Sequence, residues 1–174
     1  MKRHLSGFFF LMLISSVFFG CEKDDICSGD TPTTPKLVIN FYEYLNPSVS
    51  KQVLKLEIFR EDAPERILVF ENTDHILLPL NTDDSNSKYV FRLTYQNINT
   101  MLTNQDVFDI RYTKEDIYVS RACGYKSNFV LDNSESLHPN PIITDLADDF
   151  WIKECIIRQA VITNENETHL DILF

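Results

Sequence analysis

Apolar residues recur in this chain with a period of two. In Val53–Arg60, Leu54, Leu56 and Ile58 alternate with Lys55, Glu57 and Phe59, and in Lys88–Gln96, Tyr89, Phe91, Leu93 and Tyr95 alternate with Arg92, Thr94 and Gln96. Phe108, Ile110 and Tyr112 against Asp109, Arg111 and Thr113 repeat the pattern, as do Leu170, Ile172 and Phe174 against His169 and Asp171. Successive side chains of a strand point to opposite faces, so this spacing predicts strands with one covered face. Leu37–Tyr42, Ile67–Phe70 and Ile76–Leu80 are more continuous apolar runs. They predict strands covered on both faces.

Between these runs stand Asn46-Pro47-Ser48, Glu61–Pro64, Asn72-Thr73-Asp74, Asn81–Ser87 and Asn133–Pro141. All carry the Asn, Asp, Ser or Pro that close turns. About nine or ten short strands at hairpin spacing point to an all-β fold, an antiparallel β-sandwich that is immunoglobulin-like or related. Asp148–Ile162 fits two patterns. Ile152, Ile156, Ala160 and Ile162 suit one face of a strand, whereas Ile152, Cys155, Ile156, Gln159 and Ala160 form a helical stripe. The β-branched pairs Ile156-Ile157 and Val161-Ile162 favour a long or bulged strand.

The N-terminus has a different grammar. Met1-Lys2-Arg3-His4 is basic, Leu5–Phe19 is greasy, and Gly20-Cys21 precedes the acidic run Glu22-Lys23-Asp24-Asp25. An apolar stretch of about 15 residues has signal-peptide length rather than the roughly 20 that span a bilayer core. The layout predicts a lipoprotein signal over residues 1–20, removed before an acylated Cys21. Phe18 and Phe19 depart from the Leu and small residue usual before such a cysteine. With about 0.8 kcal/mol per buried methylene, acyl chains at Cys21 would hold the protein on a membrane without a transmembrane segment. Residues 21–35 then read as a lipidated tether, extended by Pro32 and Pro35, and residues 36–174 as the domain.

Charge and cysteines narrow the function. The formal net charge is −10, and losing Lys2 and Arg3 with the signal makes it more negative still. Such a surface repels nucleic acid and anionic headgroups, so no nucleic-acid partner is expected. With Cys21 taken by lipid, Cys27, Cys123 and Cys155 are an odd set of which one pair can close. No CxxC or Cys/His cluster accompanies them, so no zinc site is expected.

The search for chemistry yields candidates rather than a motif. The chain has no G-x-S-x-G elbow, H-E-x-x-H, glycine-rich phosphate loop or EF-hand pattern, which predicts no catalytic residues, no cofactor and no metal. His75, His138 and His169 stand far apart and read as surface or turn residues. Asn81-Thr82-Asp83-Asp84-Ser85-Asn86-Ser87 reads as a calcium loop or a solvated hairpin loop. Asp145, Asp148 and Asp149, before Phe150-Trp151, read as a cation site or a turn. Phe41, Tyr42, Tyr44, Tyr112, Tyr118, Tyr125 and Trp151 could form a platform for sugar rings or pack in the core. Arg121-Ala122-Cys123-Gly124-Tyr125-Lys126 is the densest unusual stretch. It reads either as a strand end held by a disulfide or as a small anionic-ligand site built from Arg121, Tyr125 and Lys126.

Two resemblances follow from these residues. Cys21-Glu22-Lys23-Asp24-Asp25 resembles the lipoprotein export signal of Bacteroidetes, in which a Lys and two acidic residues after the lipidated cysteine direct the protein to the outer face of the outer membrane. Asp24-Asp25-Ile26-Cys27, Thr31-Pro32-Thr33-Thr34-Pro35-Lys36-Leu37-Val38-Ile39 and Ser120–Lys126 together resemble an uncharacterised family of flavobacterial lipoproteins, a domain of unknown function. That resemblance implies a shared Cys27 and Cys123 framework, with Cys155 as the odd thiol. A Cys27–Cys123 bridge would contribute on the order of 4 kcal/mol in the chain-entropy model. The expected partners are the membrane through the lipid at Cys21, the lipoprotein processing and sorting machinery, and a protein or glycan ligand. The leading expectation is therefore a surface-exposed binding or structural module rather than an enzyme. The alternatives are a glycan-processing or other hydrolytic enzyme whose carboxylates meet only in the fold, and an accessory subunit of an envelope complex.

Overall fold

The computed structural model describes residues 26–132, 141–145 and 149–174. The signal, Cys21, Glu22, Lys23, Asp24 and Asp25 lie outside the described residues, as do His138 and Asp148. The chain forms two compact units. Among the described residues the smaller comprises residues 26–32 together with Tyr118–Tyr125, and the larger comprises the described parts of Thr33–Ile117 and Lys126–Phe174.

Twelve strands form among the described residues: β1 (Leu37–Glu43), β2 (Asn46–Ser50), β3 (Val53–Arg60), β4 (Ala63–Thr73), β5 (His75–Leu78), β6 (Asn86–Asn97), β7 (Thr100–Ser120), β8 (Gly124–Leu131), β9 (Ile142–Asp145), β10 (Glu154–Ile157), β11 (Val161–Ile162) and β12 (Leu170–Leu173). One sheet has the order β10-β12-β1-β2, with β5 also paired to β1. The other has the order β11-β8-β7-β6-β3-β4, with β9 paired to β7. The fold is thus all-β, with two packed sheets. Leu37, Ile39, Phe41, Leu170 and Ile172 of the first sheet share one buried cluster with Leu56, Ile58, Phe91, Phe108, Ile110 and Phe129 of the second.

The architecture is not wholly antiparallel. β1 pairs with β12 in parallel, Ile39 opposite Leu170 and Phe41 opposite Ile172. His169 fastens the start of this ladder. Its Nδ1 accepts from the Val38 N–H at 2.9 Å, and its own N–H donates to the Val38 carbonyl at 3.0 Å. The ring nitrogen that accepts must be unprotonated, so neutral His169 carries its proton on Nε2. Burial pushes its pKa below the ordinary value. His169 is therefore an interior staple and not a surface or turn residue.

Three further expectations are corrected by topology. Asn46-Pro47-Ser48 belongs to β2 rather than to a turn, because Pro47 is tolerated on an edge strand and the turn falls instead on Tyr44-Leu45. Asp148–Ile162 is neither one strand nor a helix. Within it β10 pairs with β12 and β11 with β8, so the chain changes sheets between them. Ile67–Phe70 is not covered on both faces: β4 is the edge of its sheet, and Ile67, Leu68 and Val69 are 43%, 37% and 50% exposed.

An irregular segment closes one side of the core. Buried Asp106 on β7 accepts backbone N–H bonds from Trp151 at 3.0 Å and Ile152 at 2.8 Å. Trp151 Nε1 donates to the Phe91 carbonyl at 3.2 Å, and its ring meets Phe174 edge-on.

Candidate functional site

Where β3 turns into β4 the register shifts between Ile58 and Arg60. Such an irregularity re-aims side chains at the end of a hairpin. Here it presents Arg60, Glu61 and Asp62 beside the β5–β6 loop and the start of β6, joined to β3 through the Phe59–Val90 pair. Together they line a cleft of about 220 Å³, with Asn81 and Asp84 from the loop and Asn86, Ser87, Lys88 and Tyr89 from β6.

The cleft's charges are mutually engaged. Arg60 grips Asp62 through Nε at 2.8 Å and a terminal nitrogen at 2.6 Å, and Lys88 meets Glu61 at 3.0 Å. The hydrogen bonds from Arg60 hold the Asp62 carboxyl below the usual carboxylate range. All four groups are well exposed, so these pairs order the rim more than they stabilise the fold.

The loop is fixed from beneath by a closed circuit. The Asn81 N–H donates to Ser87 Oγ at 2.7 Å, Ser87 Oγ lies 2.7 Å from the Tyr112 hydroxyl, and that hydroxyl donates to the Asn81 carbonyl at 2.8 Å. Tyr112 has one proton, so Ser87 must be the donor between the two hydroxyls. Burial pushes the Tyr112 pKa up to about 12. Tyr89 donates to the Pro79 carbonyl at 2.5 Å, and Lys114 Nζ donates to the Thr82 carbonyl at 2.6 Å.

The loop also caps its own backbone: Asn81 Oδ1 accepts from the Asp83 N–H and Asp84 Oδ1 from the Ser85 N–H. Among the described residues no three His, Cys, Asp or Glu side chains gather for a metal. Asp149 meets Lys153 at 3.5 Å and accepts from the Phe150 N–H at 2.9 Å, the pattern of a turn.

Two other hollows adjoin the sheets. One of about 520 Å³ shares Arg60, Asp62 and Tyr89 with the polar cleft and continues over Phe59, Leu68 and Pro79. Another, of about 440 Å³, is lined by Ile143, Phe150, Ile152 and Cys155. Burial pushes the pKa of the free Cys155 thiol up, which disfavours its thiolate.

In the smaller unit, Cys27 and Cys123 are joined by a disulfide, with their Cα atoms 4.9 Å apart. Cys123 sits in a turn whose N–H donates to Ser120 Oγ at 3.1 Å, and Gly124 takes φ +71°, where a side chain would be strained. Arg121 is exposed, and exposed Tyr125 meets the Tyr118 ring edge-on at 5.3 Å between centroids. Lys126, half-buried, begins the second stretch of the larger unit. None of Arg121, Tyr125 and Lys126 lines the three hollows. Of the other aromatics, Phe41, Tyr112 and Trp151 are buried, which makes them core residues, while Tyr42 is half-buried and Tyr44 exposed. His75 is exposed beside Asp74 at 3.1 Å.

Arg60, Glu61, Lys88 and Asn86 join the site only through the pairing of β3 with β6. In the sequence, Glu61-Asp62-Ala63-Pro64 signals a turn and nothing more. No curated protein and no solved structure matches the chain. The family of unknown function DUF6452 matches residues 55–174, a span that includes Ser120–Lys126 and leaves out Cys27. With most of its length inside that match, the chain belongs to DUF6452.

Proposed function

We propose that this protein is a lipid-anchored binding module of the outer membrane, facing the cell surface, with Cys21 acylated and Glu22–Asp25 read by the export machinery. The observation that carries this reading is the Cys27–Cys123 disulfide. Such bridges persist in oxidising compartments outside the cytoplasm. A disulfide close behind a signal-like N-terminus is consistent with an exported chain.

The polar cleft favours binding over hydrolysis. A glycosidase needs one carboxyl with a raised pKa to act as general acid. Here Asp62 is shifted the opposite way by Arg60, and Glu61 sits against Lys88. Labelled fatty acid should be incorporated into the full chain and lost in Cys21→Ala. Persistent labelling of that variant would sink the anchor. Protease added to intact cells should digest the domain, and complete protection would place it on the inner face.

A further inference from the structure

We infer that the cleft at the β3–β4 turn, with the hollow that adjoins it, binds a neutral oligosaccharide. The inference rests on the binding-module reading and names the ligand class of the same site.

Charge makes the first selection. Arg60 and Lys88 in the cleft are each engaged by a carboxylate, Arg66 in the adjoining hollow lies 3.8 Å from Glu65, and Asp84 adds a further negative charge on a chain of net charge −10. A phosphate or carboxylate ligand would have to break an ion pair and approach an anionic surface. A bare cation would compete with Arg60 and Lys88, which already hold Asp62 and Glu61.

Hydrogen-bond direction makes the second. Asn81 uses Oδ1 on the Asp83 N–H, and Asn86 uses Nδ2 on Asp109 Oδ1 at 3.1 Å. Each amide is therefore anchored at one end and offers the other: a donor at Asn81 Nδ2 and an acceptor at Asn86 Oδ1. A hydroxyl both donates and accepts. Neighbouring ring hydroxyls can thus use the two amides together, as well as the lone pairs left on Glu61, Asp62 and Asp84.

Shape makes the third. Sugars carry hydroxyls on their edges and C–H groups on their ring faces. The cleft of about 220 Å³ runs into the hollow of about 520 Å³ across Arg60, Asp62 and Tyr89, where Phe59, Leu68 and Pro79 supply an apolar surface. Polar groups at one end and a mixed wall at the other, with Leu68 and Pro79 beside Glu65 and Arg66, suit a chain of more than one ring. The Asn81–Ser87–Tyr112 circuit holds the loop in place before a ligand arrives, which reduces the ordering penalty of binding.

The test uses the full chain in a zwitterionic detergent, because glycoside detergents would supply competing sugar headgroups. Probes are N-acetylglucosamine, galactose and mannose, the disaccharides chitobiose, lactose and maltose, and glucuronate and glucosamine as charged controls. Saturation-transfer NMR should detect at least one neutral disaccharide, bound more tightly than its monosaccharide. Asn81→Ala with Asn86→Ala should weaken binding about tenfold or more, the loss of one to two hydrogen bonds. Leu68→Ser should narrow the disaccharide's advantage over the monosaccharide. Circular dichroism of the variants separates lost contacts from lost fold. Silence across the neutral panel would overturn the inference, and so would binding that ignores the paired Asn variants. Preference for glucuronate or glucosamine, abolished by those variants, would overturn the ligand class while leaving a binding module. Fatty-acid labelling and protease access report on anchor and orientation whichever way the sugars fall.

Discussion

β1 and β4 begin from nearly the same sequence signal and end in opposite environments. Leu37-Val38-Ile39 and Ile67-Leu68-Val69 are both uninterrupted apolar triplets. In β1, Leu37 and Ile39 face the core at 0% exposure and Val38 on the reverse face retains only 8%. β1 lies between β12 on one side and β2 and β5 on the other. β4 has β3 on one side and no strand among the described residues on the other. An apolar run therefore marks a strand, but its place in the sheet order decides how much of it is covered. Long apolar edges are also templates for unwanted pairing. Glu65, Arg66 and Glu71 place charges at both ends of the exposed stretch in β4.

The sharpest way to break this comparison is truncation in the buried strand. Phe41→Ala removes a ring with no exposed surface from the shared core, and should cost about 3–5 kcal/mol in chemical denaturation. A loss below about 1 kcal/mol would mean that β1 is not central to the core.

Next comes the staple on β1. Burial lowers the pKa of His169, so below about pH 6.5 the unfolded chain takes up this proton more readily than the native one. Its contribution is fully present above that pH and is lost as pH falls towards the depressed native value. His169→Leu should leave the Val38 N–H without its acceptor, cost about 1–3 kcal/mol near neutrality, and flatten this part of the stability profile. An unchanged slope between pH 5 and 7 would assign the acid sensitivity elsewhere.

The smallest effect belongs to the edge. Val69→Ala should change stability by no more than about 0.5 kcal/mol. A larger loss would show that another surface covers β4 in solution. Hydrogen exchange sharpens the contrast without mutation, since amides of β1 should open only with the whole unit while those on the free side of β4 exchange early.

Alternation made the ends of β3 legible and located the middle of β6 and the last strand, but it misassigned faces in β3, where Leu54 is 40% exposed while Val53 and Phe59 are buried. It could not show that the last strand lies parallel to the first, because period two identifies faces and not neighbours. Pro47 misled for the same reason: a residue that closes turns also fits an edge, and only sheet order distinguishes the two. The cleft was less legible still. Asn81–Ser87 drew notice for its oxygens, yet the groups that give the site its character, Arg60, Glu61 and Lys88, come from a turn and a strand that meet through non-local pairing. The Ser87–Tyr112 bond likewise exists only in the register that sets Ser87 opposite Ile110.

The parallel partnership of β1 and β12 also imposes an order on biogenesis. Val38 and His169, which fasten it, are 131 residues apart. A chain made from its N-terminus exposes β1 early and keeps it waiting for a partner strand that comes much later in the sequence. Until then β1 lacks its companion on one side, and β10 has nothing to join.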